Sequence, residues 1–99
     1  MLDFYLIQDD QPEPEYPEQA ELEFAGGLDY KSFENLKDRG LIADRFDYCT
    51  DFRWGTDLIR QINEQINKKS GKSDFDVKQL MDLLNQAIQK ESGLIAYCD

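Results

Sequence analysis

The sequence predicts an α+β fold, about three helices packed on a small, mainly antiparallel sheet that includes the N-terminal and C-terminal strands. Three observations predict it. Two segments repeat apolar residues at helical spacing, short apolar runs rich in branched and aromatic residues lie near both ends, and helix start and stop signals punctuate the interior. The chain of 99 residues, 40% of them hydrophobic, suits a single domain spanning 1–99 with one modest core. A TIM barrel or a full dinucleotide-binding fold needs about twice this length or more.

Leu2–Ile7 is apolar except for Asp3, with Leu2, Phe4 and Leu6 on one face at period two, and reads as the first strand. Pro12, Pro14 and Pro17 follow among glutamates. Each removes a backbone donor and biases its predecessor toward extended geometry, which predicts a stiff acidic Pro/Glu loop at about residues 9–20. Glu21–Phe24 predicts a short edge strand ended by Gly26-Gly27. Asp29 is the expected N-cap of a helix from Tyr30 to Arg39 with the stripe Tyr30, Phe33 and Leu36, and Gly40 with Leu41 fits a Schellman ending.

Thr56 begins the second predicted helix, whose apolar positions are Leu58, Ile59, Ile62 and Ile66. Lys68 and Lys69 suit its C-terminal dipole, and Gly71 ends it. Ser73 with Asp76 has the form of a capping box for a third helix running to about Glu91. Its stripe is Val77, Leu80, Met81, Leu84, Ala87 and Ile88, with Leu83 at the margin. Ser92-Gly93 stops it, and Leu94–Cys98 reads as the closing strand.

Charge is the most uneven property. The net charge is −10. Residues 1–30 hold nine acids (Asp3, Asp9, Asp10, Glu13, Glu15, Glu18, Glu21, Glu23 and Asp29) and no base, whereas residues 31–99 are nearly neutral. Such a field disfavours free duplex nucleic acid and anionic membranes as ligands and favours a basic protein. The absence of histidine excludes imidazole-based mechanisms. No basic, apolar leader opens the sequence, and no apolar run approaches the roughly 20 residues that cross a bilayer. A cytoplasmic location is expected, and with it free thiols at Cys49 and Cys98.

Motifs for chemistry are weak. Asp44, Asp47 and Asp51 lack the Gly-centred loop of an EF-hand, and Gly71-Lys72-Ser73 lacks the upstream glycine of a phosphate-binding loop. No catalytic residue, metal site or cofactor is expected. The segment Phe46, Tyr48, Thr50, Phe52 and Trp54 alternates with Asp47, Cys49, Asp51 and Arg53. Extended, it would put four aromatics on one side, either as a core strand or with Tyr48 and Trp54 reaching the surface as contact anchors.

These features favour a small acidic, non-enzymatic protein-binding domain, of the immunity-type or antitoxin-like kind that inhibits a basic partner. Glu13, Glu15, Glu18, Glu21 and Glu23 would steer that partner, and Tyr16, Arg53 and Trp54 would anchor it. The alternative is a structural or scaffold subunit acting through homo- or hetero-oligomerisation, motivated by the surplus apolar Leu83. A small carboxylate-using enzyme ranks third.

Overall fold

Strand β1 (Leu2–Ile7) sits centrally because its alternation gives it two usable faces. A computed structural model of the chain describes residues 1–48, 50–68 and 74–98. In it β1 pairs antiparallel on one side with β2 (Phe24–Leu28) and on the other with β4 (Gly93–Cys98), and β4 pairs antiparallel with β3 (Phe52–Trp54). The sheet order is β2-β1-β4-β3, with α1 (Tyr30–Asp38), α2 (Thr56–Lys68) and α3 (Phe75–Gln89) completing the expected α+β fold.

One face of the sheet makes the core. Leu2, Phe4 and Leu6 of β1 join Leu94 and Ala96 of β4 and Trp54 of β3 in a single buried cluster with Phe33, Leu36, Ile59, Ile62, Ile66, Leu80 and Leu84 from the helices. Phe46 and Tyr48 close over it from the α1–β3 connection, and Phe46, Phe52, Trp54 and Phe4 meet ring on ring at centroid distances of 5.0–6.0 Å. The aromatic segment is thus a core lid. Only its end, Phe52–Trp54, is strand, because the chain turns at Ala43–Phe46 and again near Asp47–Thr50.

The helix starts are set by carboxylates. Asp29 accepts from the Ser32 amide at 2.8 Å, the expected cap for α1. For α3 the cap is Asp74, which accepts from the Asp76 and Val77 amides. This replaces the expected Ser73–Asp76 capping box, of which Ser73 lies outside the described residues, as do Lys69 and Gly71. The Asp76 carboxylate is turned instead to α1, accepting from Ser32 Oγ at 2.6 Å and Asn35 Nδ2 at 2.9 Å, while Asp74 also pairs with Arg39 at 2.6 Å. At the other end of α1 the Leu41 amide donates to the Leu36 carbonyl at 3.0 Å and the Gly40 amide to the Lys37 carbonyl at 2.9 Å, as the Schellman reading requires.

Four further expectations are corrected. Gly26 and Gly27 lie inside β2 rather than ending it, and Gly26 admits Leu83 so closely that a Cβ there would stand 3.0 Å from Leu83 Cδ2. Leu83 is therefore buried, which removes the surplus apolar surface behind the scaffold alternative. Ile88, expected in the stripe of α3, is 41% exposed. Cys98 is disulfide-bonded rather than a free thiol, and Cys49 lies outside the described residues.

Gly93 opens β4 where the chain leaves α3 and comes alongside β3. A Cβ at this position would collide with the Trp54 carbonyl oxygen, a backbone atom that cannot step aside. Gly93→Ala is expected to separate β3 from β4 at a cost of about 1–3 kcal/mol, the range of overpacking in a filled core. Urea denaturation followed by circular dichroism measures this loss, and an unchanged midpoint would mean that the Trp54–Leu94 register is wrong.

Candidate functional site

The second face of the sheet carries the charge. Strict alternation puts Tyr5, Ile95 and Arg53 in one cross-strand row on this face, with Asp3 beside Tyr97 in the next. Residues 8–23 run over it, and the contacts that hold them are specific. Arg53 donates from Nη1 to the Gln11 carbonyl at 2.8 Å and from Nη2 to the carbonyls of Gln8 and Asp9. Tyr97 Oη donates to the Pro14 carbonyl at 2.7 Å. The Asp9 carboxylate accepts from the Thr56 amide at 3.1 Å and from Thr56 Oγ1. It thereby caps α2 from 47 residues away, where a negative charge suits the helix dipole.

These contacts decide which expected residues are available. Glu13, Glu15, Glu18, Glu21 and Glu23 are all exposed. The ion pairs seen among the described residues, Lys37–Asp47 and Arg39–Asp74, include none of them. Tyr16 is 52% exposed at the start of a single 3-10 turn, Pro17–Ala20. Two expected anchors fail for geometric reasons. Trp54 is 0% exposed, packed between Phe4, Phe46 and Phe52, so no partner reaches it. Arg53 faces away from the core, as β alternation demands, but its guanidinium is taken up by the loop's own carbonyls.

Glu15, Tyr16 and Glu18 are brought together with residues that the sequence did not place at the partner site. They line a groove of 390 Å³ with Asp3, Tyr5, Pro17, Asp51, Tyr97 and Cys98. Tyr5 and Tyr97 pack edge to face there at 5.9 Å. Asp51 is fixed on the rim by accepting from the Cys98 amide at 3.1 Å. The Tyr97 hydroxyl is held above the ordinary tyrosine value, first by burial and then by the charges of Asp51, Glu13 and Glu18, which places all three carboxylates in its field. Glu21 and Glu23 lie instead at a second hollow of 280 Å³ between the end of the loop, Leu22, Lys90 and Ser92.

The anionic surface is therefore not the first thirty residues as a block. Asp9 and Asp29 are helix caps, and Asp51, from well beyond residue 30, belongs with the groove. Period-two alternation in β4 could have found Tyr97, opposite in sense to Leu94 and Ala96. No local signal marks Asp51.

Two measurements check this arrangement. Arg53→Met should open the loop about 10- to 100-fold more often, since bonds from a charged donor contribute about 1.5–3 kcal/mol each. Cleavage by a glutamyl endopeptidase after Glu15, Glu18 and Glu21 reads that opening, and a loop no more sensitive than in the parent protein would deny Arg53 its clamping role. Acid should act in the same way. The Asp9 carboxyl is held below its ordinary value, first by the Thr56 hydroxyl and next by the Thr56 amide. Because the folded value is depressed, the attachment is complete above about pH 4 and is lost as the pH falls through the lower folded value. The protection of the Thr56 amide against exchange is expected to fall between pH 5 and pH 2.5 in the parent but not in Asp9→Asn.

Among the described residues no group of three or more cysteines or carboxylates is placed to hold a metal ion, and no helix is long and apolar enough to cross a membrane. No protein-family model matches the chain, and a search of curated proteins gives no match. A solved structure is similar throughout. The Neisseria DNA mimic protein DMP12 matches with a TM-score of 0.65 over 97% of each chain, at 19% sequence identity. The likeness is one of fold. It corrects the expectation of an immunity-type or antitoxin-like inhibitor, because the solved structure that this chain resembles throughout is described as that of a DNA mimic. The partner expectation, a basic protein of no stated kind with nucleic-acid recognition set aside, is corrected with it.

Proposed function

We propose that the chain is a DNA mimic, a non-enzymatic protein that occupies the DNA-contacting face of a DNA-binding protein. The observation that carries this reading is the clamped carboxylate display on the outer face of the sheet. Glu13, Glu15 and Glu18, on a loop held by Arg53, Tyr97 and Asp9, and Asp51, from just before β3, gather about Tyr97. Proteins that bind DNA direct half or more of their hydrogen bonds at phosphates and sugars, largely through Lys and Arg. Carboxylates accept from the same donors with similar charge-assisted geometry. A rigid display also avoids the ordering cost that a flexible acidic tail meets on binding. The fold likeness to a DNA mimic supports the same conclusion.

The test is competition. The protein is immobilised, exposed to nuclease-treated extract of its source organism, and eluted with a short duplex. Proteins released by the duplex are then purified and assayed for DNA binding. The expected result is that the soluble mimic reverses their gel shift in near-stoichiometric amounts, more effectively at low salt. Retained proteins that duplex DNA fails to displace, or a gel shift indifferent to the mimic, would overturn the reading.

A further inference from the structure

We propose that the groove between the 3-10 turn and the β1–β4 pair receives a single lysine or arginine side chain of the DNA-binding partner. The inference rests on the mimic reading above and gives it a specific point of attachment. Two independent features of the groove select the same ligand. Its lining includes four acidic residues, Asp3, Glu15, Glu18 and Asp51, from three separate chain segments. Its walls include three tyrosine rings, those of Tyr5, Tyr16 and Tyr97.

Carboxylates alone would attract any cation, including a hydrated metal ion. Aromatic walls favour an organic cation, whose alkyl stem and weakly hydrated head gain from ring contact. Arginine gains most, because its planar guanidinium can lie against a ring while donating to two oxygens. The 390 Å³ of space exceeds what one such side chain occupies, which leaves room for either residue type. With the Tyr97 hydroxyl already donated to the Pro14 carbonyl, the ring is what this side chain offers the groove.

The groove also differs from the second hollow near Glu21 and Glu23. That hollow contains Lys90, whose ammonium opposes a further cation, and no aromatic ring lines it. The two ends of the loop are thus unequal. Glu21 and Glu23 contribute to the general field, whereas the groove makes a defined contact.

The probes are Nα-acetyl-arginine amide and Nα-acetyl-lysine amide, with the citrulline and norleucine analogues as neutral counterparts of similar shape. They are titrated into the isotope-labelled full-length protein and followed by the backbone amides of Asp3, Tyr16, Asp51 and Tyr97. Both cationic probes are expected to shift these amides with saturation on the order of millimolar, a plausible scale for one small ligand. Arginine should bind more tightly than lysine, and the neutral analogues should leave the amides unmoved. Tyr16→Ala and Glu18→Gln alter exposed residues away from the core, and each should weaken the arginine probe by about tenfold, the scale of one cation–π contact or charge-assisted bond. Unchanged Trp54 fluorescence shows that these variants remain folded. Equal shifts with citrulline, or no saturable shift with either cation, would overturn the groove assignment. Duplex competition by the same two variants separates the two readings. If the parent and both variants reverse the gel shift equally, the mimic role stands and the groove is not its contact. If the parent itself does not compete while the arginine probe binds, the groove stands and the mimic role fails.

Discussion

Trp54→Ala is expected to lower the stability of the protein by about 3–5 kcal/mol, the cost of removing a large aromatic side chain from a filled core. A domain of this size has only about 5–15 kcal/mol of stability, so the variant stands near the edge of folding. The indole touches Phe4 at 5.2 Å, Phe52 at 5.4 Å and Phe46 at 6.0 Å, and so joins the sheet to the connection that covers it. At about 4–8 °C per kcal/mol for a domain of up to 100 residues, the melting temperature should fall by roughly 12–40 °C. Far-ultraviolet circular dichroism measures this without depending on the deleted fluorophore. Trp54→Phe should cost much less. It keeps most of the ring contact and removes an indole N–H that is buried with no hydrogen-bond partner among the described residues. An orphaned donor of that kind costs about 1–3 kcal/mol, which offsets part of the lost volume. The contrast separates a core role from a contact role. A surface anchor would lose partner affinity in both variants and stability in neither.

The same residue shows where the sequence was legible. Helix spacing, the Asp29 cap and the stop at Gly40 are local signals, and they placed α1 to within a residue. Period-two alternation placed β1 and grouped Leu2, Phe4 and Leu6 on the face that proves to be the inner one, and the short apolar run after Ser92-Gly93 placed β4. What failed was of longer range. Whether an aromatic such as Trp54 faces the core or the solvent depends on which side of β3 the helices occupy, and no stretch of β3 alone records that. Arg53 failed for the related reason that its acceptors are carbonyls 42–45 residues earlier in the chain. Carbonyl acceptors leave no trace in composition, since every residue has one. Asp9 was counted as part of a field and proved to be the cap of a helix that begins at Thr56. Charge asymmetry thus marked the Pro/Glu loop as a whole, without distinguishing carboxylates that hold the fold from those that face outward.

That distinction has a direct consequence for how the loop should be dissected. Neutralising Glu13, Glu15, Glu18, Glu21 and Glu23 together to glutamine is expected to leave the fold intact, because all five are exposed and absent from the ion pairs seen among the described residues. Stability should hold or rise slightly as self-repulsion in a chain of net charge −10 is relieved. Association with a DNA-binding partner should suffer heavily. Electrostatic steering separates rates of about 10⁸–10⁹ M⁻¹s⁻¹ from neutral rates of about 10⁵–10⁶ M⁻¹s⁻¹, so a loss of about 100-fold or more at low salt is expected. The loss should shrink as salt rises, because screening already weakens the parent protein there. Asp9→Asn supplies the counter-example. It removes one charge from the same loop but acts on the attachment to α2, so its effect should appear as loop opening and a faster dissociation rate rather than as slower encounter. Stopped-flow association across a salt series, with the partner released by duplex elution, distinguishes these outcomes. If the five-glutamine variant associates as fast as the parent at low salt, the Pro/Glu loop is not the surface that stands in for phosphate.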